Sequence, residues 1–270
     1  MPDEKFQHKK SLGQNFLTSA VVPRWLCEAA GLTAGEKVFE IGPGTGALTK
    51  ELLAEGAVVT AVEADERALT ILEETFEAEI KSGQLTLHHG DSRVITPFHL
   101  GFTNHDFKVV ANIPYYLSGF LFRTLLESEV QPQNLTFLIQ KELAQRIARD
   151  PKESILSLSI KAFGEPKYIK TVSRGHFNPA PKVDSAILSV YNINQNHFLD
   201  FPALFFFELL HLGLGNKRKQ LVSNLSVNYD RSLLISILEE LEQRPDIRGE
   251  DLSLNHWLAL AKILFNTPKL

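Results

Sequence analysis

Cysteine occurs once in the 270 residues, at Cys27, which excludes a disulfide framework and fits a reducing compartment. Long apolar runs are missing as well. The most apolar stretch, residues 203–214, is broken by Glu208 and His211 and is far too short to span a bilayer. No apolar segment follows Met1-Pro2-Asp3-Glu4-Lys5, so no secretory leader is expected, and a soluble cytoplasmic protein without a membrane partner is predicted. The nine histidines show no ligand spacing; His88-His89 falls at a strand end, and no metal is expected. A strong charge of one sign is also lacking: the net charge is −4.

What is present is ordinary for a globular protein, 44% hydrophobic and 22% charged residues, enough for one large domain or a large one with a smaller companion. The charge is unevenly spread. Residues 36–91 hold twelve acidic and four basic side chains, whereas residues 141–185 hold nine basic and five acidic. Lys9-Lys10 and Lys217-Arg218-Lys219 are two further basic clusters, and polyanions respond to local patches more than to a global average.

Short β-branched runs alternate with helical periodicity through the first two-thirds of the chain. Strands are predicted at 38–41, 58–62, 85–88, 109–111, 135–139 and 183–191, and helices at 47–55, 66–76, 119–126 and 141–148. Such alternation specifies an α/β fold with a mostly parallel sheet, whose ligands bind beyond the strand C-termini. Past the polar segment 192–196 the strand pattern stops. Apolar helical repeats at 204–212, 219–227, 233–241 and 252–265 predict a small all-helical domain over 195–270, after a first domain over 1–194.

The first strand runs into Gly42-Pro43-Gly44-Thr45-Gly46, a G-x-G-x-G turn rather than the G-x-G-x-x-G of dinucleotide folds. The preceding Glu40 suits a cationic ligand better than a pyrophosphate. Glu63, at the end of the next strand, stands where an acidic side chain accepts both ribose hydroxyls. Asp91, after the third strand, can accept from an adenine amino group. A glycine turn alone is common and an acidic strand end is usually solvated. Three such features at three successive strand ends describe a cationic nucleoside without phosphate, S-adenosylmethionine, ahead of a nicotinamide cofactor.

Asn112-Ile113-Pro114-Tyr115 follows the fourth strand. The lone pair of an exocyclic adenine amine is delocalised into the ring, and two acceptors can localise it by drawing the hydrogens out of plane: the Asn112 side-chain oxygen and a neighbouring backbone carbonyl. Pro114 stiffens the turn, and Tyr115 offers a face on which an unstacked base can rest. By itself the string would be a proline turn with a packed tyrosine; beside the glycine turn it is specific.

With these motifs the sequence resembles the bacterial small-subunit rRNA adenine dimethyltransferases, the KsgA/RsmA type, along nearly its whole length. The resemblance rests on Gln14-Asn15-Phe16-Leu17, residues 40–46, Asn112-Ile113-Pro114-Tyr115, Gln140-Lys141-Glu142 and residues 177–185. It implies a Rossmann-like class I methyltransferase fold with a mostly parallel seven-stranded sheet, S-adenosylmethionine as cofactor, and a C-terminal helical domain that binds RNA or the ribosome. It further implies that Asn15 and Leu17 border the methionine end of the cofactor with Gly42 behind it. Glu63 takes the ribose, Asp91 the adenine, and Asn112 serves both cofactor and target. Phe177 flanks the target base opposite Tyr115. The expected partner of a monomeric enzyme is immature small-subunit rRNA, where two adjacent adenosines of the 3′-terminal hairpin are dimethylated. RNA phosphates are expected at Lys9, Lys10, Arg146, Arg149 and 217–219. The family's usual proline triplet reads Pro179-Ala180-Pro181 here, and Ser154-Ile155 replaces a common Tyr-Gly. Large-subunit rRNA adenine methyltransferases of the antibiotic-resistance type share the N-terminal motifs, and a non-catalytic assembly factor could keep the same fold.

Overall fold

The structure is a computed structural model and describes residues 15–270. Lys9, Lys10 and Gln14 lie outside the described residues. The strands are β1 (Phe16–Leu17), β2 (Lys37–Ile41), β3 (Val58–Glu63), β4 (Leu85–His89), β5 (Phe107–Asn112), β6 (Leu135–Gln140), β7 (Glu165–Val172), β8 (Phe177–Asn178) and β9 (Ser185–Tyr191). Seven of them form one sheet in the order β4-β3-β2-β5-β6-β9-β7. β2 to β6 are parallel to their neighbours among themselves, and β9 runs antiparallel to both β6 and β7. This is the mostly parallel α/β sheet that the alternating pattern predicts.

β5 and β6, Phe-Lys-Val-Val-Ala-Asn and Leu-Thr-Phe-Leu-Ile-Gln, are buried over nearly their whole length. Central parallel strands are covered on both faces, so their sequences read as apolar runs rather than alternating ones. Lys108 is the exception inside β5; its ammonium donates to the Gly31 carbonyl and to Glu36, each at 2.7 Å. Around the sheet lie α1 (Val21–Ala30), α2 (Ala47–Ala54), α3 (Glu66–Thr75), α4 (Glu77–Ser82) and α5 (Ser118–Leu126). The order reverses between β2 and β5, and this switch point opens a crevice beyond the strand C-termini.

The chain forms two compact units. One holds the sheet and comprises the residues up to Ala144 and Glu165–Ile193; the other comprises Gln145–Gly164 and Asn194–Leu270. α6 (Lys141–Ala148) spans the first crossing. The sequence places a single boundary at 194/195 and assigns residues 145–164 to the first domain, whereas they belong to the second unit. The reason is local packing: Phe163, just after α7 (Ile155–Lys161), stacks its ring against Phe198 and Phe207 at 5.0 and 6.0 Å, and its carbonyl accepts from Asn194 N–H. The second unit contains α8 (Ala203–Leu214), α9 (Leu221–Leu225), α10 (Arg231–Glu240) and α11 (Leu254–Phe265). Among the described residues, no helix is long and apolar enough to cross a membrane.

Candidate functional site: a cleft at the strand ends

β2 ends at Ile41, and the chain then turns through Gly42, Gly44 and Gly46, all at positive φ, into α2. Two of these glycines have opposite surroundings. A Cβ on Gly42 would meet nothing within 4 Å and would project into open space in the cleft, so its absence widens a cradle. A Cβ on Gly46 would lie 2.5 Å from the Phe76 ring, so there the glycine serves helix packing.

Glu63 closes β3 and is only 5% exposed. Its two oxygens accept from Gly44 N–H at 2.9 Å and Asp65 N–H at 2.8 Å, which fixes the carboxylate against the glycine turn. Asp91 follows β4 and accepts from the Arg93 backbone N–H and from its guanidinium Nε, both at 2.8 Å. The guanidinium holds the Asp91 carboxyl below the usual carboxylate range. Asn112 ends β5, and its Nδ2 donates to the Asn15 carbonyl at 3.1 Å. A carbonyl can only accept, so the amide turns its NH2 to Asn15, which leaves Oδ1 as the acceptor end of this cleft-lining side chain. Tyr115 is half-buried, its hydroxyl bonded to the Ser185 hydroxyl at 2.7 Å, and burial pushes its phenol up against the opposing effect of that bond.

One cleft is lined by Asn15, Leu17, Gly42, Glu63, Asp91, Asn112 and Tyr115 together. Seven of the eight residues singled out from the sequence thus converge. Phe177 does not join them. It lies in β8, paired with Leu17 of β1, is 5% exposed, and belongs to the same apolar core as Val172, Ile187 and Leu138.

Several lining residues carry weaker sequence signals. Phe16 stands where a Cβ on Gly44 would touch its ring at 2.8 Å. Arg93 follows Asp91 at the two-residue spacing that suits an Asx-type turn, a signal available in the sequence. Tyr116 adjoins Tyr115 but is 63% exposed. Glu40 is 1% exposed; one carboxyl oxygen accepts from the Thr49 hydroxyl at 2.8 Å, and the other, Oε1, has no hydrogen-bond partner among the described residues. A buried acceptor left without a donor costs roughly 1–3 kcal/mol, so it marks a place where a ligand donor or cation is expected.

Burial pushes the Glu40 carboxyl up from 4.5 to about 8; the charge of Glu63 adds to the rise and the Thr49 hydroxyl opposes it. The folded protein therefore keeps this proton between those two values while the unfolded chain releases it. Its contribution to stability is complete below 4.5 and is lost as pH rises through about 8. Thermal unfolding of the ligand-free protein should lose stability relative to Glu40→Gln between pH 5 and 8, and parallel curves would contradict the assignment.

Across residues 5–266 the chain matches the family model described as ribosomal RNA adenine dimethylase. The chain belongs to this family. Among the ribosomal RNA adenine dimethylases and their relatives, a protein of Dehalococcoides mccartyi named ribosomal RNA small subunit methyltransferase A is 34% identical over 93% of this chain and 87% of its own length. A solved dimethyladenosine transferase from Plasmodium falciparum superposes with a TM-score of 0.79 at 24% identity, covering 94% of this chain and 99% of that one. The solved 23S rRNA methyltransferase ErmE gives a TM-score of 0.74 at 24% identity, over 93% and 100% of the two chains. At that identity both structures show a shared fold, and fold alone does not choose between their substrates.

Proposed function

We propose that the protein is a small-subunit rRNA adenine N6,N6-dimethyltransferase using S-adenosylmethionine. The observation that supports this reading is the anchoring of the Asn112 amide, whose Nδ2 is tied to Asn15 in the wall of the cleft, so that its oxygen is left to accept from a target amine. A neighbouring backbone carbonyl supplies the second acceptor, and Ile113 is the residue of this turn assigned to it. The Pro114 and Tyr115 carbonyls each already accept within the turn, from Leu117 N–H and the Ser118 hydroxyl, both at 2.9 Å. Two acceptors beside the Tyr115 ring fit an exocyclic amine with two hydrogens.

The cleft fits the cofactor on its donor set. Glu63 and Asp91 line it, and Arg93, the one lining Lys or Arg among the described residues, is tied to Asp91. That balance suits a cationic nucleoside and opposes a pyrophosphate. The unpartnered Glu40 Oε1 and the open space over Gly42 point the same way. Asn15, Leu17 and Gly42 would hold the methionine end, Glu63 the ribose hydroxyls and Asp91 the adenine amine. When bound, the cofactor supplies an electrophilic methyl on a cationic sulfur with a neutral thioether as leaving group. Asn112 and Ile113 orient N6 in line with that carbon, and the proton released by the amine passes to water. Positioning supplies most of the acceleration. Phe177, paired with Leu17 across β1 and β8, would flank the target base opposite Tyr115.

The sheet unit is the catalytic part and the helical unit an RNA-binding part. Lys217, Arg218 and Lys219 are all exposed in the helical unit, as are Arg146 and Arg149, and such groups meet phosphates without reading sequence. The partner is the immature small subunit in the cytoplasm, met by a monomer. Purified protein with labelled methyl donor should modify unmethylated small subunits and yield N6-dimethyladenosine on digestion. Preferential labelling of naked large-subunit rRNA would select the antibiotic-resistance type instead. Subunit binding without any label would select a non-catalytic assembly factor.

A further inference from the structure

Tyr115 and Tyr116 are adjacent but have different fates. Tyr115 is half-buried with its hydroxyl held by Ser185, whereas Tyr116 lines the same cleft with 63% of its surface open. The cause is the tight 3₁₀ turn Tyr115–Leu117, in which successive side chains are rotated by about 120°, so two consecutive rings cannot face the same way. Four residues on, in α5, Phe120 is also exposed, at 42%. Gly119 beside it has no atom within 4 Å of where a Cβ would stand, so this face of the helix start is open. Arg93 lines the same cleft as Tyr116. Its Nε and one terminal nitrogen are committed to Asp91, and the guanidinium remains 55% exposed.

We propose that Tyr116, assisted by Phe120 and Arg93, forms a second nucleobase subsite that stacks the nucleotide flanking the target adenosine. The inference rests on the adenine N6 reading above. A base drawn into the cleft loses its stacking on both neighbours, and each neighbour then exposes a π-face next to the cleft mouth. Among the described residues Tyr116 is the exposed ring that shares the cleft, and an aromatic face accepts any base. The outward edge of the Arg93 guanidinium suits the phosphate joining the two nucleotides. Tyr116 is thus a positioning residue: it sets how the everted strand enters and does not touch the reacting atoms.

Unmethylated small ribosomal subunits serve as substrate, with kcat and KM measured for Tyr116→Ala, Tyr116→Leu, Tyr116→Phe and Tyr116→Trp. One lost base–aromatic stack should raise KM for the subunit by roughly 5- to 150-fold in the Ala and Leu variants, with kcat changed far less. Phe and Trp, which keep a π-face, should stay within about twofold of wild type, and S-adenosylmethionine affinity measured by calorimetry should be unchanged in all four. A Leu variant as good as Phe would overturn the stacking role, because apolar contact alone would suffice. So would a Phe variant as poor as Ala, which would assign the effect to the hydroxyl, or an unchanged KM in the Ala variant. Absence of any N6 methylation by the wild-type protein would instead refute the underlying reading, and the subsite with it.

Discussion

Asn112→Ala should lower methyl transfer to small subunits by on the order of 10²–10³-fold while subunit binding is largely kept. The substitution removes the one side-chain acceptor whose orientation is fixed by an anchor, the 3.1 Å bond from Nδ2 to the Asn15 carbonyl. Without it the target amine keeps a single acceptor at the Ile113 carbonyl, its lone pair stays conjugated with the ring, and its approach angle is free. Losing one preorganised polar partner at a reacting group costs about this much in enzymes generally. Single-turnover incorporation separates the chemical step from binding, and co-sedimentation with subunits reports binding. Equal loss of both would mean that Asn112 holds up the cleft wall and takes no part in orienting the amine.

Glu63→Ala should weaken S-adenosylmethionine binding by about 1.5–3 kcal/mol, a factor of roughly 10 to 150, the range of hydrogen bonds to a charged group. Part of that loss is indirect. Each Glu63 oxygen also accepts a backbone N–H, from Gly44 or Asp65, so alanine leaves two buried donors unpaired and loosens the glycine turn. Glu63→Gln separates the contributions, because its one oxygen can keep only one of those bonds and carries no charge. Calorimetric affinities should fall in the order wild type, Gln, Ala. An affinity unchanged in the Ala variant would remove Glu63 from the ribose site.

The strands that position the cleft were legible because each is an apolar or β-branched run ending in a chemically distinctive residue: Gly42, Glu63, Asp91 and Asn112. β7 was not. Its sequence, Glu-Pro-Lys-Tyr-Ile-Lys-Thr-Val, carries a proline and two lysines, as edge strands do, and its pairing with β9 is interrupted by a register shift between Tyr168 and Lys170. The two-residue pairing of β1 with β8 has no periodicity to detect, since it joins Leu17 to Phe177 across 159 intervening positions. That pairing also sets Phe177, which the family resemblance places against the target base, beside Leu17 at 5% exposure. The approximate position of the site was legible from residue types. The direction of the Asn112 amide, the Arg93 clasp on Asp91 and the unpartnered oxygen of Glu40 depend on side-chain geometry, which no spacing encodes.

A polarised adenine amine that meets a methyl donor in this cleft leaves its product in the small-subunit rRNA. Mass spectrometry of nucleosides from small-subunit rRNA, taken from cells with and without the intact gene, tests it most directly. N6-dimethyladenosine should be present with the gene, absent without it, and restored by the wild-type protein but not by Asn112→Ala. The same level of N6-dimethyladenosine in both RNAs would contradict the claim.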